Sequence, residues 1–212
     1  MKNIILAIPK GRILKELRPF LAKKNIILED DFFNENSRKL IFKTNIDNLE
    51  VVKVRSFDVA NIVKFGGADI GICGSDVIQE FLSPEFYSIV DLKIGKCRLS
   101  LAHPSNIDGN FANHQKITVA TKYLNISQKY FDNLGYQADF IKLNGSIEIA
   151  TKLKLCDFII DLVSSGATLI ENQMIESSKI LDVSSFLIAN RNSLKVKNSE
   201  IYNIIKIFNL EK

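Results

Sequence analysis

The sequence predicts an α/β protein. Three observations lead there: short apolar runs recur along the chain, longer stretches with apolar residues at helical spacing separate them, and the joins are rich in Gly, Ser, Thr and Asn. Hydrophobic residues fill 46% of the 212 positions and charged residues 25%. That is ordinary globular usage, with enough apolar material for a core, and the length fits one large domain or two small ones.

Taken in order, Asn3 to Ile8 reads as a buried first strand. A helix follows with Ile13, Leu14, Leu17 and Leu21 on one face. Pro19 falls inside it and is expected to kink it, since proline lacks the N–H and crowds the preceding turn. Arg38 to Lys43 and Glu50 to Val54 read as strands, and Phe57 to Phe65 as a short helix ended by Gly66 and Gly67. Asp69 to Cys73 is another buried strand and Asp76 to Phe81 another helix.

The middle of the chain repeats a strand–loop–helix unit. Lys116 to Ala120 leads through Thr121 to Asn125 into a helix at about Ile126 to Leu134. Ala138 to Leu143 leads through Asn144-Gly145-Ser146 into a helix at about Ile147 to Leu153, and Phe158 to Val163 through Ser164 to Thr168 into a helix at about Leu169 to Ile175. Each loop lies at the carboxyl end of a strand, the edge where open α/β sheets take ligands. Two crossing strands, near Leu92 to Lys96 and Leu181 to Ser185, are expected to join two domains, 1–93 plus 182–212 and 94–181. The segment Ser199 to Phe208 has Ile201, Ile204, Ile205 and Phe208 at helical spacing and should close the first.

Charge and cysteine content exclude several classes. Lys and Arg number 28 against 24 Asp and Glu, a formal charge of +4. The excess suits an anionic substrate, but the basic residues are scattered, unlike the clustered stripe of a nucleic-acid binder. No apolar run reaches the roughly 18 residues of a membrane span, and the amino-terminal apolar stretch of about five residues is too short for a secretory signal. A soluble, cytoplasmic chain is therefore expected. Cys73, Cys97 and Cys156 lack the close spacing of a zinc or redox motif and read as small buried hydrophobes.

The strongest chemical signal is Asp161 to Leu169. A helix start offers N–H groups without internal partners and the positive end of the helix dipole. Gly166 lets the backbone approach a ligand, and Ser164, Ser165 and Thr168 add hydroxyl donors, so the loop can cradle a phosphate. The same residues also suit an ordinary helix cap. Lys10, Gly11 and Arg12 follow the first strand, where a cation could meet a polyphosphate. Arg38 opens one apolar strand and Arg55 closes another, where arginine can hold phosphate through two parallel hydrogen bonds or simply form a surface ion pair. Gly74, Ser75 and Asp76 follow the buried strand at Gly71 and could admit a base or a ribose, or cap the next helix. His103 and His114 have no partner at ligand or catalytic spacing. The chain lacks a Walker loop, GxGxxG, HExxH and GxSxG.

In order along the chain, the blocks Ala7-Ile8-Pro9-Lys10-Gly11-Arg12-Ile13-Leu14, Ser37 to Phe42, Arg55 to Val59, Gly67 to Asp76, Asp91 to Leu99, Ala120 to Ile126, Lys142 to Glu148 and Asp161 to Leu169 resemble the catalytic chain of the ATP phosphoribosyltransferase family. The resemblance runs from about Asn3 to Asn190. It implies a two-domain fold of the type II periplasmic-binding-protein class with the active site in the interdomain cleft. It implies phosphoribosyl transfer onto ATP, with Mg2+ entering on the donor's pyrophosphate and no metal ligand from the protein itself. The loop 164–168, including Ala167, would hold the ribose 5-phosphate, with Glu148 and Asp161 on the ribose hydroxyls or metal-bound water. Lys10, Arg38 and Arg55 would take the pyrophosphate or ATP phosphates, and Asp76 and Tyr123 would contact ATP.

Ser165 stands where the family commonly has threonine, which keeps a hydroxyl; Leu124, Thr151 and Lys154 also depart from its usual residues. The chain stops soon after the catalytic core and so resembles the short form, which works with a histidyl-tRNA-synthetase-like regulatory subunit; self-association to a dimer is also expected. Neither nucleic acid nor membrane is expected as a partner. Other functions compatible with these residues are a cytosolic small-molecule-binding module and a phosphoribosyltransferase of another base.

Overall fold

The computed structural model describes residues 2–34 and 36–209. In chain order its elements are β1 (Ile4–Pro9), α1 (Arg12–Lys23), β2 (Ile41–Lys43), β3 (Leu49–Val54), α2 (Ser56–Lys64), β4 (Ile70–Gly74), α3 (Ser75–Phe81) and β5 (Phe86–Asp91). There follow β6 (Cys97–Pro104), β7 (Ile117–Thr121), α4 (Leu124–Leu134), β8 (Ala138–Lys142), α5 (Ile149–Lys152), β9 (Phe158–Val163), α6 (Ala167–Glu171) and β10 (Met174–Val183). The chain ends with β11 (Ser185–Asn190), α7 (Arg191–Val196) and α8 (Asn198–Asn209). One compact unit runs to Gly95 and resumes at Ser184, and the other is Lys96–Val183. The last three positions of the expected first domain, 210–212, lie outside the described residues.

The first unit is built on a six-stranded mixed sheet of order β2-β3-β1-β4-β11-β5. At its centre β1 runs parallel to both β3 and β4, so the chain steps to one side of β1 and then to the other. Alternation along β1 splits the core. Leu6 and Ile8 face Leu17 and Leu21 of α1 with Ile201, Ile204 and Phe208 of α8, while Ala7 packs with Val59, Ala60 and Val63 of α2 and Val77 of α3. Two helical layers therefore cover the sheet. α1 continues across Pro19. α2 ends at Gly66 with φ of 74°, the left-handed C-terminal turn that glycine adopts without strain.

The second unit carries a five-stranded sheet of order β10-β6-β9-β7-β8. Here β7 is the parallel centre, flanked by β9 and β8. Ala120, Ile159 and Val163 pack with Ile147, Ala150 and Leu169 in a buried cluster. An aromatic group of Phe111, Phe131 and Phe158, with centroids 5.2 Å apart in both contacts to Phe111, joins α4 to this sheet.

Three expectations need correction. Arg38 does not open a strand: residues 37–40 are irregular and β2 begins only at Ile41. The helix expected from Leu169 to Ile175 is α6, five residues long; Gln173 turns with φ of 56°, and Met174 starts the ten-residue strand β10. Cys97 is only part-buried, although all three thiols are free and Cys73 and Cys156 are buried.

Candidate active site

In the first unit, the register sets Pro9 opposite Val54, and the Lys10 N–H donates to the Val54 carbonyl at 2.7 Å. The carboxyl ends of β1 and β3 are thus adjacent, and Lys10 and Arg55 emerge side by side from the backbone ladder. Gly11 has φ of 90° and turns the chain into α1, whose first residue is Arg12. On the other side of β1, β4 ends at Gly74 and α3 starts at Ser75. This is the switch point of a doubly wound sheet, the crevice such sheets use for ligands. Arg38 lies three residues before β2, in the irregular segment that leads into its pairing with β3.

The charges at this edge are available. Lys10, Arg38 and Arg55 are all exposed, and among the described residues no carboxylate pairs with their side chains. A surface ion pair, the alternative reading of the two arginines, is absent there. Arg12 differs: its guanidinium reaches the Gly95 carbonyl at 3.4 Å, and Glu16 accepts from the Gly95 N–H at 2.8 Å. Asp76 is buried in the first turn of α3, and burial followed by the charge of Asp76 pushes the Cys73 thiol well above its ordinary range. Cys156 is pushed up to about 11, chiefly by burial. Neither thiol is a nucleophile at neutral pH.

In the second unit, three parallel strands again present their carboxyl ends together. β9 runs into Ser164, Ser165 and Gly166, with Gly166 at φ of 83° as N-cap of α6. Ser164, Ser165, Ala167 and Thr168 are exposed, and the Ala167 N–H leans on Ser165 Oγ at 3.3 Å. An added Cβ at Gly166 would meet nothing within 4 Å, so the space above the backbone is open. At the end of β7, Thr121 Oγ1 donates to the Ile160 carbonyl at 2.8 Å and accepts from the Tyr123 N–H, which ties β7 to β9. Glu148, part-buried, follows Asn144-Gly145-Ser146 at the end of β8.

Residues not singled out in the sequence complete this edge. Lys122 Nζ lies 3.6 Å from Asp161 Oδ1 and over the Tyr123 ring at 4.9 Å. Arg98 of β6 and Glu176 of β10 form a two-pronged ion pair beside the Ser164 carbonyl. Lys122 and Arg98 sit inside blocks quoted above, but lone basic residues carry no spacing signal. Tyr123, expected to contact ATP, is fully buried at the start of α4.

Asp161 Oδ1 is buried without a hydrogen-bond partner among the described residues, and Lys122 Nζ lies 3.6 Å from it. Glu148, beyond the end of β8, is the second carboxylate of this edge, with β7 between its strand and that of Asp161. Among the described residues there is no group of three or more His, Cys, Asp or Glu placed to hold a metal ion. The donor set fits a hard cation that brings phosphate oxygens and water with it and needs only one or two carboxylates.

The family model described as ATP phosphoribosyltransferase matches residues 55–209. This chain belongs to the ATP phosphoribosyltransferase family. A relative of that name from Novosphingobium aromaticivorans is 46% identical over 207 residues, covering 97% of this chain and 93% of the relative. One from Sphingopyxis alaskensis is 47% identical over 205 residues, covering 97% and 92%. The solved ATP phosphoribosyl transferase (HisG:HisZ) complex from Thermotoga maritima contains a chain 27% identical, with TM-score 0.76 and coverage of 97% and 96%. The fold class expected for an ATP phosphoribosyltransferase, two-domain α/β of the periplasmic-binding-protein type, is the one found. No helix among the described residues is long and apolar enough to cross a membrane.

Proposed function

We propose that this chain transfers the phosphoribosyl group of phosphoribosyl pyrophosphate to N1 of the adenine of ATP, the first step of histidine biosynthesis. Family membership supports the reaction, and one structural observation carries the assignment of its parts. Lys10, Arg38 and Arg55 are exposed cations that meet no carboxylate among the described residues, and the first and last emerge from adjacent strand ends. Cations left unpaired at a sheet's switch point suit a polyphosphate ligand.

N1 forms a bond to the anomeric carbon of the donor while the bond from that carbon to the pyrophosphate oxygen breaks, and the electron pair leaves with pyrophosphate. Adenine is a modest nucleophile, so the burden falls on placement and on the departing charge. Lys10, Arg38 and Arg55 neutralise that charge. The N–H groups and hydroxyls of Ser164 to Thr168 hold the 5-phosphate, with Gly166 giving close approach. Asp161 and Glu148 hold the ribose hydroxyls, and Lys122 keeps the Asp161 carboxylate in place. Mg2+, bound through the pyrophosphate and water held by these carboxylates, would supply further charge neutralisation.

The Thermotoga maritima structure is a HisG:HisZ complex, which supports a histidyl-tRNA-synthetase-like regulatory partner for this chain. A homodimer and a cytoplasmic location complete the proposal. The test is substrate choice: pyrophosphate release from phosphoribosyl pyrophosphate should require ATP. Release supported by adenine, hypoxanthine or orotate and not by ATP would contradict it.

A further inference from the structure

We infer that Arg98 and Glu176 are positioning residues for the phosphate loop, setting the direction of its backbone; this rests on the loop's proposed role in holding the donor's 5-phosphate. Arg98 lies on β6 opposite Val163, the last residue of β9. Its Nη1 donates to the Ser164 carbonyl at 3.3 Å, while Nε and Nη2 donate to the two carboxylate oxygens of Glu176, both at 2.5 Å. Glu176 accepts a third bond from Ser100 Oγ at 2.7 Å. The first peptide of the loop is thereby tied to β6, and through Glu176 to β10.

The planar trans peptide makes that tie consequential. The carbonyl of Ser164 and the N–H of Ser165 belong to one rigid unit and point in opposite directions. Holding the carbonyl on the Arg98 side aims the Ser165 N–H the other way and keeps a carbonyl oxygen from turning toward a phosphate. The loop needs such a hold, because Gly166 beside it adopts φ of 83° and no side chain packs over it. α6 has only five residues and supplies little rigidity of its own.

Arg98 does not act here as a free charge. Its guanidinium is spent on Glu176, which the bond from Arg98, with a smaller one from Ser100, holds below the ordinary carboxylate range. A lysine at position 98 has a single ammonium and cannot make the two-pronged bond and reach the carbonyl in fixed geometry. Position and charge therefore differ in sign for one substitution. Glu176→Gln removes a negative charge near the phosphate, so a charge role for Arg98 would tighten donor binding. A positioning role weakens it, since the guanidinium loses its anchor.

The experiment is steady-state kinetics of Arg98→Ala, Arg98→Lys, Glu176→Gln and Thr168→Ala, with KM measured separately for phosphoribosyl pyrophosphate and for ATP. Arg98→Ala should raise the donor KM by roughly 10- to 100-fold, the cost of small misplacements in a binding loop. KM for ATP should stay within about twofold and kcat should fall less than the donor KM rises. Arg98→Lys should recover only part of the loss, and Glu176→Gln should also raise the donor KM. An unchanged or lowered donor KM in Glu176→Gln overturns the inference, even if Arg98→Ala fails to fold. Thr168→Ala separates the two ideas. If it raises the donor KM while the Arg98 and Glu176 variants do not, only the positioning role fails. If Thr168→Ala also leaves the donor KM unchanged, the loop assignment fails and takes the inference with it.

Discussion

Arg55 shows what one residue contributes at this edge. It is exposed, its side chain caps nothing, and its carbonyl starts α2 by accepting from the Asp58 N–H at 2.9 Å. Removing the guanidinium leaves that carbonyl bond in place, so Arg55→Ala should change folding stability by no more than about 0.5 kcal/mol. Turnover should nevertheless fall about 10² to 10³, the usual cost of losing one donor to developing charge. Paired thermal melts and initial rates decide this, and full turnover in the variant would remove Arg55 from the mechanism. Glu176 gives a pH signature at the same scale. Its carboxyl is held below the 4.5 of an unshifted glutamate, first by Arg98 and then by Ser100. A lowered acid pKa stabilises the fold fully above the unfolded value and loses that contribution as pH falls through the folded one. The wild-type protein should therefore lose more stability than Glu176→Gln between neutral pH and the region below 4.5, in urea titrations at stepped pH. Equal losses would show that the pair contributes nothing to the fold. Such roles were only partly legible in the sequence: Ser164 to Thr168 announced themselves by composition, whereas Arg98 and Glu176 meet across strands that sequence spacing does not connect.

At the scale of elements, periodicity succeeded where segments were long and failed where the chain turned without a marker. Leu169, Ile170, Met174 and Ile175 satisfy a helical period, yet they straddle the turn at Gln173, so the end of α6 and the start of β10 read as one helix. Short apolar runs fit either periodicity, and tertiary pairing of β10 with β6 decides between them. Leu40, Ile41 and Phe42 form an apolar run that predicts a strand from Arg38, but only Ile41–Lys43 pair. The strand endings are more legible, because Cys73, Ala120 and Val163 precede glycine, threonine and serine, and the observed ends fall at Gly74, Thr121 and Val163. The packing of α2 on β4 yields a direct test. A Cβ at Gly71 would lie 2.7 Å from Val59 Cγ1 and 2.8 Å from Val63 Cγ2, both on the buried face of α2. Gly71→Ala should destabilise the protein by about 1–3 kcal/mol through overpacking, measured as a shift of the denaturation midpoint at constant m. Val63→Ala in the same chain should recover part of that loss; no recovery would mean the clash is not the cause.

Within the first unit, the carboxyl-terminal segment is tied back to the start of the chain. Asp69, buried before β4, accepts from the Ile5 N–H at 2.9 Å and from Lys197 Nζ at 2.8 Å, and Lys197 also donates to the Asn3 carbonyl at 2.7 Å. The segment between α7 and α8 is thereby fixed to the start of β1. Lys197→Met should cost about 1–3 kcal/mol, because it leaves the buried Asp69 carboxylate with the Ile5 N–H but no counter-charge. Asp69→Asn combined with Lys197→Met should cost less than that single change, and a larger loss would contradict the account. The central claim is the reaction itself. Purified chain, together with a histidyl-tRNA-synthetase-like subunit, would be mixed with ATP, phosphoribosyl pyrophosphate and Mg2+, with pyrophosphatase to draw the equilibrium forward, while the absorbance of the N1-substituted adenine product is followed. The account expects absorbance to rise only when both substrates are present, and to be all but lost in Arg55→Ala. No product from the wild-type complex, with both substrates verified intact, would contradict it.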